Sequence, residues 1–338
     1  MLAERLRELI RARGPIPFRD WMEAALYDPE FGYYTRSDLK RWGREGDYRT
    51  SPERSELFAA TFARYFAKLY DELGQPSQWT IIEGGAGDGT FAQRVQRALE
   101  KDYPRVFEAT RYLISEVGDV CESPDPSTPW LYFSNELLDA FPVHRVTGEG
   151  ELYVTLDSEN SFTWSVGSFS TPRLSEFVER YSIKLAPGQI IEVNLAIDDW
   201  LSSLASKLKR GYVITVDYGA EASDLYDPTL RPNGTLRAFS RHQFVDDVLA
   251  APGEYDITSS VNWTQVKATG ERLGLQVVEF DSQDRFLLRN GLLDELQQRL
   301  TRIEKEADKL RLTTDAREMI LPGNMASSFQ VLVQERKF

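Results

Sequence analysis

The chain has 338 residues, of which 41% are hydrophobic and 28% charged, and this balance excludes a disordered protein while fitting one enlarged globular domain or two. Its 53 acidic and 40 basic side chains give a formal net charge of −13, which repels a phosphate backbone and argues against a nucleic-acid partner. The same charge favours basic partners, such as a protein that presents arginine or lysine.

Cysteine and histidine are too scarce to indicate a disulfide or a typical metal site. Cys121 is the only cysteine, and the two histidines are His144 and His242. The N-terminal segment lacks the apolar core of a signal peptide, and no stretch approaches the roughly 18 apolar residues of a membrane span. We therefore predict a protein of the reducing cytoplasm with no bound metal and no membrane span. These features leave the oligomeric state open.

Residues 1–77 predict a helical N-terminal extension, because apolar residues recur at helical spacing on both sides of a loop. The loop contains a polar segment, residues 46–53, in which Thr50 and Ser51 resemble a clamp for a ligand. We therefore count both residues as candidates for cofactor binding. The predicted helices cover residues 1–13, 18–26 and 55–73.

Residues 78–338 predict a Rossmann-like α/β domain with a mainly parallel sheet and helices on both faces, because short apolar runs alternate with helical patterns. A β-hairpin near residues 150–170 and a loop-rich segment near residues 219–260, interpreted as a lid, are expected insertions. The predicted strands cover residues 79–82, 111–115, 130–134, 190–193, 212–216, 275–280 and 329–335. Predicted helices follow the first strand up to residue 99 and cover residues 197–208, 264–273 and 292–310.

The strongest chemical signal is a glycine-rich turn between the first strand and its helix. Glu83 ends the strand, and Gly85, Gly87 and Gly89 follow at alternate positions. Residues without a Cβ atom let a ligand approach the backbone and allow a positive φ, which favours a nucleotide-type ligand over an ordinary turn. Asp88 would repel a pyrophosphate, but it suits the ammonium and sulfonium groups of S-adenosylmethionine. The turn is therefore predicted to bind that cofactor.

The second strand of this domain leads into Glu116, a position from which a carboxylate can accept hydrogen bonds from ribose hydroxyls. We count Glu116 among the cofactor-binding candidates, with a solvent-exposed strand end as the alternative. The glycine turn and Glu116 would also serve a nicotinamide dinucleotide. An oxidoreductase is therefore a second interpretation of these residues.

A loop rich in carboxylates follows the third strand and is predicted to be catalytic. Asn135 lies at the strand tip, and Glu136 and Asp139 are three residues apart, so they can share one face of a helical turn. In a doubly wound sheet this loop faces the same crevice as the glycine turn. Paired carboxylates would orient a guanidinium, which offers fork-like donors, and help to remove its proton. The alternative is that Asn135 and Asp139 only cap the turn.

At these residues the chain resembles the MidA-like methyltransferases, a family that includes a mitochondrial complex I assembly factor that methylates arginine. The matching segments span nearly the whole chain, which makes the resemblance far more specific than the glycine turn alone. They are residues 26–29, 32–34, 46–53, 83–90, 135–144, 216–219, 234–237, 256–258, 283, 286–288, 322–323 and 329–332.

The resemblance implies a class I methyltransferase fold, S-adenosylmethionine as the cofactor and a protein arginine as the acceptor. Two departures from the family pattern stand out. The turn reads Gly-Ala-Gly-Asp-Gly where the family has Gly-Pro-Gly-Arg-Gly, and the segment between Glu116 and Trp130 is short. The short segment favours another interpretation, a non-catalytic assembly or chaperone-like factor that keeps the fold. The carboxylates at Glu136 and Asp139 argue against it.

Overall fold

A computed structural model describes residues 1–36, 56–116, 124–241, 243–321 and 328–337, so the candidates Thr50 and Ser51 lie outside the described residues. The helices of the described residues are α1 (Leu2–Arg13), α2 (Phe18–Tyr27), α3 (Glu56–Glu72), α4 (Thr90–Asp102), α5 (Pro104–Ala109), α6 (Pro172–Arg180), α7 (Ala196–Lys207), α8 (Ala222–Leu225), α9 (Trp263–Arg272), α10 (Gln283–Arg289), α11 (Leu292–Leu300) and α12 (Glu306–Ile320). The strands are β1 (Ile16–Pro17), β2 (Trp79–Gly84), β3 (Thr110–Ser115), β4 (Trp130–Asn135), β5 (His144–Thr147), β6 (Gly150–Leu156), β7 (Phe162–Gly167), β8 (Ile190–Val193), β9 (Gly211–Ala220), β10 (Arg237–Ser240), β11 (Gln243–Phe244), β12 (Asp256–Thr258), β13 (Val261–Asn262), β14 (Gln276–Ser282) and β15 (Phe329–Arg336).

The principal sheet has the strand order β14-β15-β9-β4-β2-β3, with the short β13 paired to the end of β9. Strands β3, β2, β4 and β9 are parallel, and β15 runs antiparallel between β9 and β14. Every residue of β2 is buried, as expected of a strand that is covered on both faces. The carboxyl ends of the parallel strands and of β14 therefore meet at one side of the sheet, which we call the carboxyl edge.

Helices cover both faces of this sheet, which confirms the predicted layer arrangement. On one face, α3 and α4 bury an aromatic cluster in which the Phe91 and Phe133 rings stack at 4.5 Å and Phe62 packs against both. On the other face, α7 and α9 pack on Ile82 and Val213. Each buried side chain of this size stabilises the fold by about 1.5–3 kcal/mol.

A second, antiparallel sheet joins β7, β6, β5, β8 and β1. Its β6 and β7 are the strands of the predicted hairpin, with Leu156 paired to Phe162 and Leu152 to Val166. Helices α1 and α2 pack on this sheet through Leu6 and Trp21, whereas α3 belongs to the core of the principal sheet. The division of the chain at residues 77 and 78 stays a prediction.

The segment 219–260, predicted to be rich in loops, also contains a third small sheet formed by β10, β11 and β12. Its role as a lid stays a prediction. One expectation about the C-terminal half was wrong. The predicted helix over residues 292–310 is two helices, α11 and α12. Leu292 and Met319 both pack in the α3 core, and a continuous helix would separate them by roughly 40 Å, so the chain must turn between them. None of the helices in the described ranges has the length and apolar character that crossing a membrane requires.

Candidate active site

The glycine-rich turn lies at the carboxyl edge between β2 and α4, and its backbone requires glycine. Gly85, Gly87 and Gly89 have φ values of +67°, +59° and +74°, which confirms the predicted positive φ. The Gly85 amide donates to the Ser115 carbonyl at 2.9 Å, so the turn is tied to the neighbouring strand β3. Asp88 accepts a hydrogen bond from the Thr90 amide and thus supports the first turn of α4.

Glu116 binds the glycine turn itself. Its Oε1 accepts a hydrogen bond from the Gly87 amide at 2.5 Å, which links the end of β3 to the middle of the turn. This contact brings the two predicted cofactor residues together, although no feature of the sequence indicates a bond between them. The ribose contact of Glu116 stays a prediction.

Glu83 is a buried carboxyl group beneath the turn and accepts a hydrogen bond from the Tyr112 hydroxyl at 2.8 Å. Burial raises the pKa of Glu83 to about 8, against the effect of Tyr112, and the charges of Glu116 and Asp88 raise it further. Glu83 is therefore mostly protonated at neutral pH in the free protein. A nearby cation would favour its ionised form.

The carboxylate loop begins with a strained residue. Glu136 has φ +54°, a left-handed conformation that is uncommon for a residue with a side chain. Two hydrogen bonds hold it, one from its amide to the Val216 carbonyl at 2.9 Å and one from Asn135 Nδ2 to Glu136 Oε1 at 3.0 Å. Such strain persists only where the surroundings fix it, and it is concentrated at functional sites.

The expected helical turn that would place Glu136 and Asp139 on one face was wrong. Residues 136–141 form bends and turns, and the buried carboxylate of Asp217 at the end of β9 shapes them. Asp217 Oδ2 accepts hydrogen bonds from the amides of Leu138 and Asp139 at 2.9 and 3.4 Å. A contact across 78 residues outweighs the local helical spacing. The signal in the sequence was an acid at the end of a strong apolar strand.

Asp139 is 4% exposed. Burial raises the pKa of Asp139 to about 6, and the nearby polar groups of Tyr218 and the loop backbone and the charge of Arg237 act in the opposite direction. Burial and the adjacent Asp139 charge also raise the pKa of Asp217. The carboxyl groups of Asp139 and Asp217 are thus buried near each other at the carboxyl edge, where ionisation of one makes ionisation of the other less favourable.

Two tyrosines from the N-terminal region lie at the carboxylate loop and at the neighbouring strand β12, and no feature of the sequence singles them out. The Tyr27 hydroxyl donates to the Ala140 carbonyl at 3.0 Å, and the Tyr34 hydroxyl donates to Asp256 Oδ1 at 2.5 Å. Their rings stack at 5.5 Å. Aromatic faces next to carboxylates form surroundings that suit a cation.

Buried acceptor atoms without a hydrogen-bond partner among the described residues cluster in this loop. They include Asn135 Oδ1 and Asp139 Oδ1. A buried acceptor that stays unpaired costs about 1–3 kcal/mol, so such atoms point to a missing donor. The turn and the loop are also in contact, because a Cβ atom on Gly85 would lie 3.1 Å from the Leu137 side chain. The described candidates therefore form one continuous acidic site.

Comparison with known proteins gives a consistent family match. Residues 61–124 and 119–281 match the model of a family described as "Putative S-adenosyl-L-methionine-dependent methyltransferase". The Drosophila melanogaster "Protein arginine methyltransferase NDUFAF7 homolog, mitochondrial" is 27% identical over 328 residues, which cover 81% of this chain and 70% of that protein. The Homo sapiens "Protein arginine methyltransferase NDUFAF7, mitochondrial" is 23% identical over 375 residues, covering 95% of this chain and 80% of its own.

Two crystal structures of Burkholderia thailandensis proteins share the fold over almost the full length. One was solved with bound S-adenosyl-homocysteine and has a TM-score of 0.84 and 26% identity, covering 99% of this chain and 92% of its own. The other has a TM-score of 0.79 and 27% identity, covering 99% of this chain and 91% of its own. These two structures support the predicted Rossmann-like methyltransferase fold.

Replacing Gly87 with valine should weaken binding of S-adenosylmethionine by about 100-fold or more, because a branched side chain is strained at this φ and fills the space the ligand needs. Gly188→Val is the matched control, since Gly188 has φ +75° with open space around it and lies outside the turn. Isothermal titration calorimetry measures both affinities. Equal losses in both variants, or an unchanged affinity in the first, would contradict the assignment of the turn.

Replacing Glu83 with glutamine should raise the free energy of unfolding at pH 8 and change it much less at pH 5. A folded-state pKa above the unfolded value means that ionisation opposes folding as the pH rises from about 4.5 to about 8. The upper limit of this effect is roughly 4–5 kcal/mol. Urea denaturation at both pH values measures it, with the exposed Glu100→Gln as control. A uniform change at both pH values would argue against a protonated Glu83.

Proposed function

Because the chain belongs to the family of S-adenosylmethionine-dependent methyltransferases, we propose that it transfers the methyl group of that cofactor to an arginine side chain of a protein. The methyltransferase class and the cofactor follow from the family. The arginine acceptor is the finer part of the proposal, and the names of the curated relatives support it. A net charge of −13 suits a basic protein partner.

The observation that carries the arginine proposal is the set of unpaired acceptors in the carboxylate loop. Asn135 Oδ1 and Asp139 Oδ1 can only accept hydrogen bonds, and both are buried. A guanidinium is their chemical complement, since it carries five N–H donors, no acceptor and a permanent charge. Glu136 adds a second carboxylate beside Asn135. We infer that these three residues orient the guanidinium.

The chemical task of the loop is to remove a proton. A guanidinium has a pKa above about 12, so its nitrogen becomes nucleophilic only as it loses a proton. We assign the acceptance of this proton to Asp139 Oδ1, since the pKa of Asp139 is about 6 and most of its carboxylate is ionised at neutral pH. When bound, the cofactor supplies an electrophilic methyl group. Asp217 holds the loop amides and thereby keeps Asp139 beside the acceptor nitrogen.

The glycine turn supplies the acceptor-rich, acidic surroundings that suit the cofactor's cationic groups. Glu83, Asp88 and Glu116 lie at or beneath the turn, and Gly85, Gly87 and Gly89 open its backbone. The same acids disfavour the pyrophosphate of a nicotinamide dinucleotide, and the family match also argues against an oxidoreductase. Ribose binding by Glu116 belongs to the proposal.

A non-catalytic assembly factor with the same fold is the second candidate, and the short segment between Glu116 and Trp130 favours it. The two candidates differ in whether methyl transfer occurs at all. The cytoplasmic location predicted from composition also stays a prediction, and the named relatives are mitochondrial.

Replacing Asp139 with asparagine should lower the rate of methyl transfer by about 100-fold or more, because the variant cannot accept the proton. Affinity for S-adenosyl-homocysteine should change less than about twofold, because the proposed cofactor contacts lie in the turn that follows β2 and at Glu116 after β3. Labelled methyl transfer into the proteome of cells that lack this protein measures the rate, and mass spectrometry identifies the methylated residue. The exposed Asp246→Asn is the control.

The outcomes separate the candidates. A parental rate in the Asp139 variant would contradict the arginine mechanism and leave the methyltransferase class intact. Methylation of another residue type by the parent protein would make the acceptor assignment wrong. Absence of transfer by the parent would favour the assembly factor.

A further inference from the structure

Arg237 is a basic residue among the acidic side chains of the carboxyl edge. It lies exposed at the start of β10, where it pairs with Thr258 of the neighbouring strand β12. Ser259, the first residue after β12, donates its amide to the Asp139 carbonyl at 2.9 Å. Strand β10 is therefore one strand away from the backbone that holds the carboxylate loop, and Arg237 lies beside the proposed site of the acceptor guanidinium.

The side chain of Arg237 is held on the ring of Tyr218, with 5.4 Å between the guanidinium carbon and the ring centre. Tyr218 lies near the end of β9, and its ring packs edge-to-face on Phe329 with centroids 5.5 Å apart. Contact with an aromatic ring leaves the N–H donors of a guanidinium, which lie in its plane, free to bind a planar anion. The ring contact therefore positions Arg237 without using its donors.

The guanidinium of Arg237 has no ion-pair partner among the residues that the structure describes. Its charge lowers the pKa of Asp139 against the effect of burial, but the two groups are too far apart to form an ion pair. Arg36, which reaches the segment before β12, is instead neutralised by Glu254. The charge and the donors of Arg237 are therefore available to a ligand that enters from solvent.

An unneutralised Arg237 opposes the binding of both substrates. The acceptor guanidinium and the cofactor's sulfonium are cations, and a third positive charge nearby raises the free energy of their binding. An anion between them would instead attract all three groups. S-adenosylmethionine carries such an anion, the carboxylate of its methionine moiety, which Asp88 and Glu116 at the glycine turn repel. An acceptor protein offers the same group as an acidic side chain or as its C-terminus.

We propose that Arg237 binds a carboxylate group of one of the two substrates, either that of the cofactor's methionine moiety or one of the acceptor protein beside its target arginine. The planar fork of a guanidinium matches a carboxylate in two parallel hydrogen bonds, which fixes orientation as well as position. The inference stands apart from the arginine proposal where the carboxylate is the cofactor's, and it rests on the proposed function where the carboxylate is the acceptor's.

The first test measures cofactor binding to the full chain by isothermal titration calorimetry. The ligands are S-adenosyl-homocysteine and its decarboxylated analogue, which lacks only the carboxylate. If the carboxylate is the cofactor's, Arg237→Gln should weaken binding of the first ligand by about 10- to 100-fold, because charge-assisted hydrogen bonds are lost. Binding of the analogue should change less than about twofold. Arg237→Lys keeps the charge and should retain part of the affinity.

Arg231→Gln is the matched control, since it changes the formal net charge of −13 by the same amount. Arg231 precedes β10 on a loop that belongs to the side of the second sheet, where the Pro232 carbonyl accepts a hydrogen bond from the Ile190 amide of β8 at 3.0 Å. Its replacement should leave both affinities unchanged. A general effect of net charge would alter them as much as Arg237→Gln does and would overturn the proposal.

The second test measures labelled methyl transfer into the proteome of cells that lack this protein, before and after the carboxylates of that proteome are converted to neutral amides. If the carboxylate is the acceptor's, amidation should lower transfer by the parent about tenfold or more at low proteome concentration. Arg237→Gln should show the same loss on the untreated proteome and no further loss after amidation. A high proteome concentration should restore the rate, because the contact contributes to binding.

Either selective loss supports the proposal and identifies the substrate that carries the carboxylate. Equal losses of affinity for the two cofactor ligands in Arg237→Gln would overturn it, because a disturbed site would then explain the effect. Unchanged affinities together with unchanged transfer would also overturn it. If the parent methylates no arginine, the proposed function fails and calorimetry alone decides the role of Arg237, which unchanged affinities would then overturn as well.

Discussion

The buried carboxylate of Asp217 is the contact on which the rest of the site depends. A fully buried charge is costly, by several kcal/mol, unless hydrogen bonds compensate it, and here three amides do so. The contact joins the end of β9 to the loop that follows β4. Because β4 and β9 are neighbours in the sheet, their pairing determines where Asp139 lies. The strained backbone of Glu136 at the start of that loop can persist because the loop is held to β9 on both sides of the strained bond: the Glu136 amide bonds to Val216, and the amides of Leu138 and Asp139 bond to Asp217.

The carboxyl edge concentrates acidic side chains to a degree that the fold alone does not need. Glu83, Glu116, Asp139 and Asp217 lie there, and burial raises the pKa of three of them, Glu83, Asp139 and Asp217. Raised carboxyl pKa values mean that ionisation at neutral pH works against stability. A protein keeps such groups where a cationic ligand reverses the balance, since a cation favours their ionised forms. The edge is therefore less stable without ligands than an apolar edge would be, and it is suited to binding them.

The sequence predicted the features that depend on neighbours along the chain. Strand β2, the positive φ of the three glycines and the hairpin of β6 and β7 follow from local periodicity and turn chemistry, and all are present. The errors arose where distant contacts override local spacing. The three-residue spacing of Glu136 and Asp139 suggested a helical turn, but Asp217 draws the loop amides into another shape. No periodicity in the sequence predicts the contact of Asp217 with the loop amides, or the hydrogen bond from Tyr27 to the same loop.

The proposed acceptor side of the candidate site is assembled from segments that are far apart in the sequence. Tyr27 and Tyr34 come from the first 36 residues, Asp139 from the loop after β4, Tyr218 from β9 and Asp256 from β12. The second sheet and helices α1 and α2 form the core that carries the two N-terminal tyrosines, while the principal sheet carries Asp139 and Tyr218. No single segment can keep this geometry alone. The candidate site therefore depends on packing along almost the entire chain, and the similarity to relatives extends over nearly the same length.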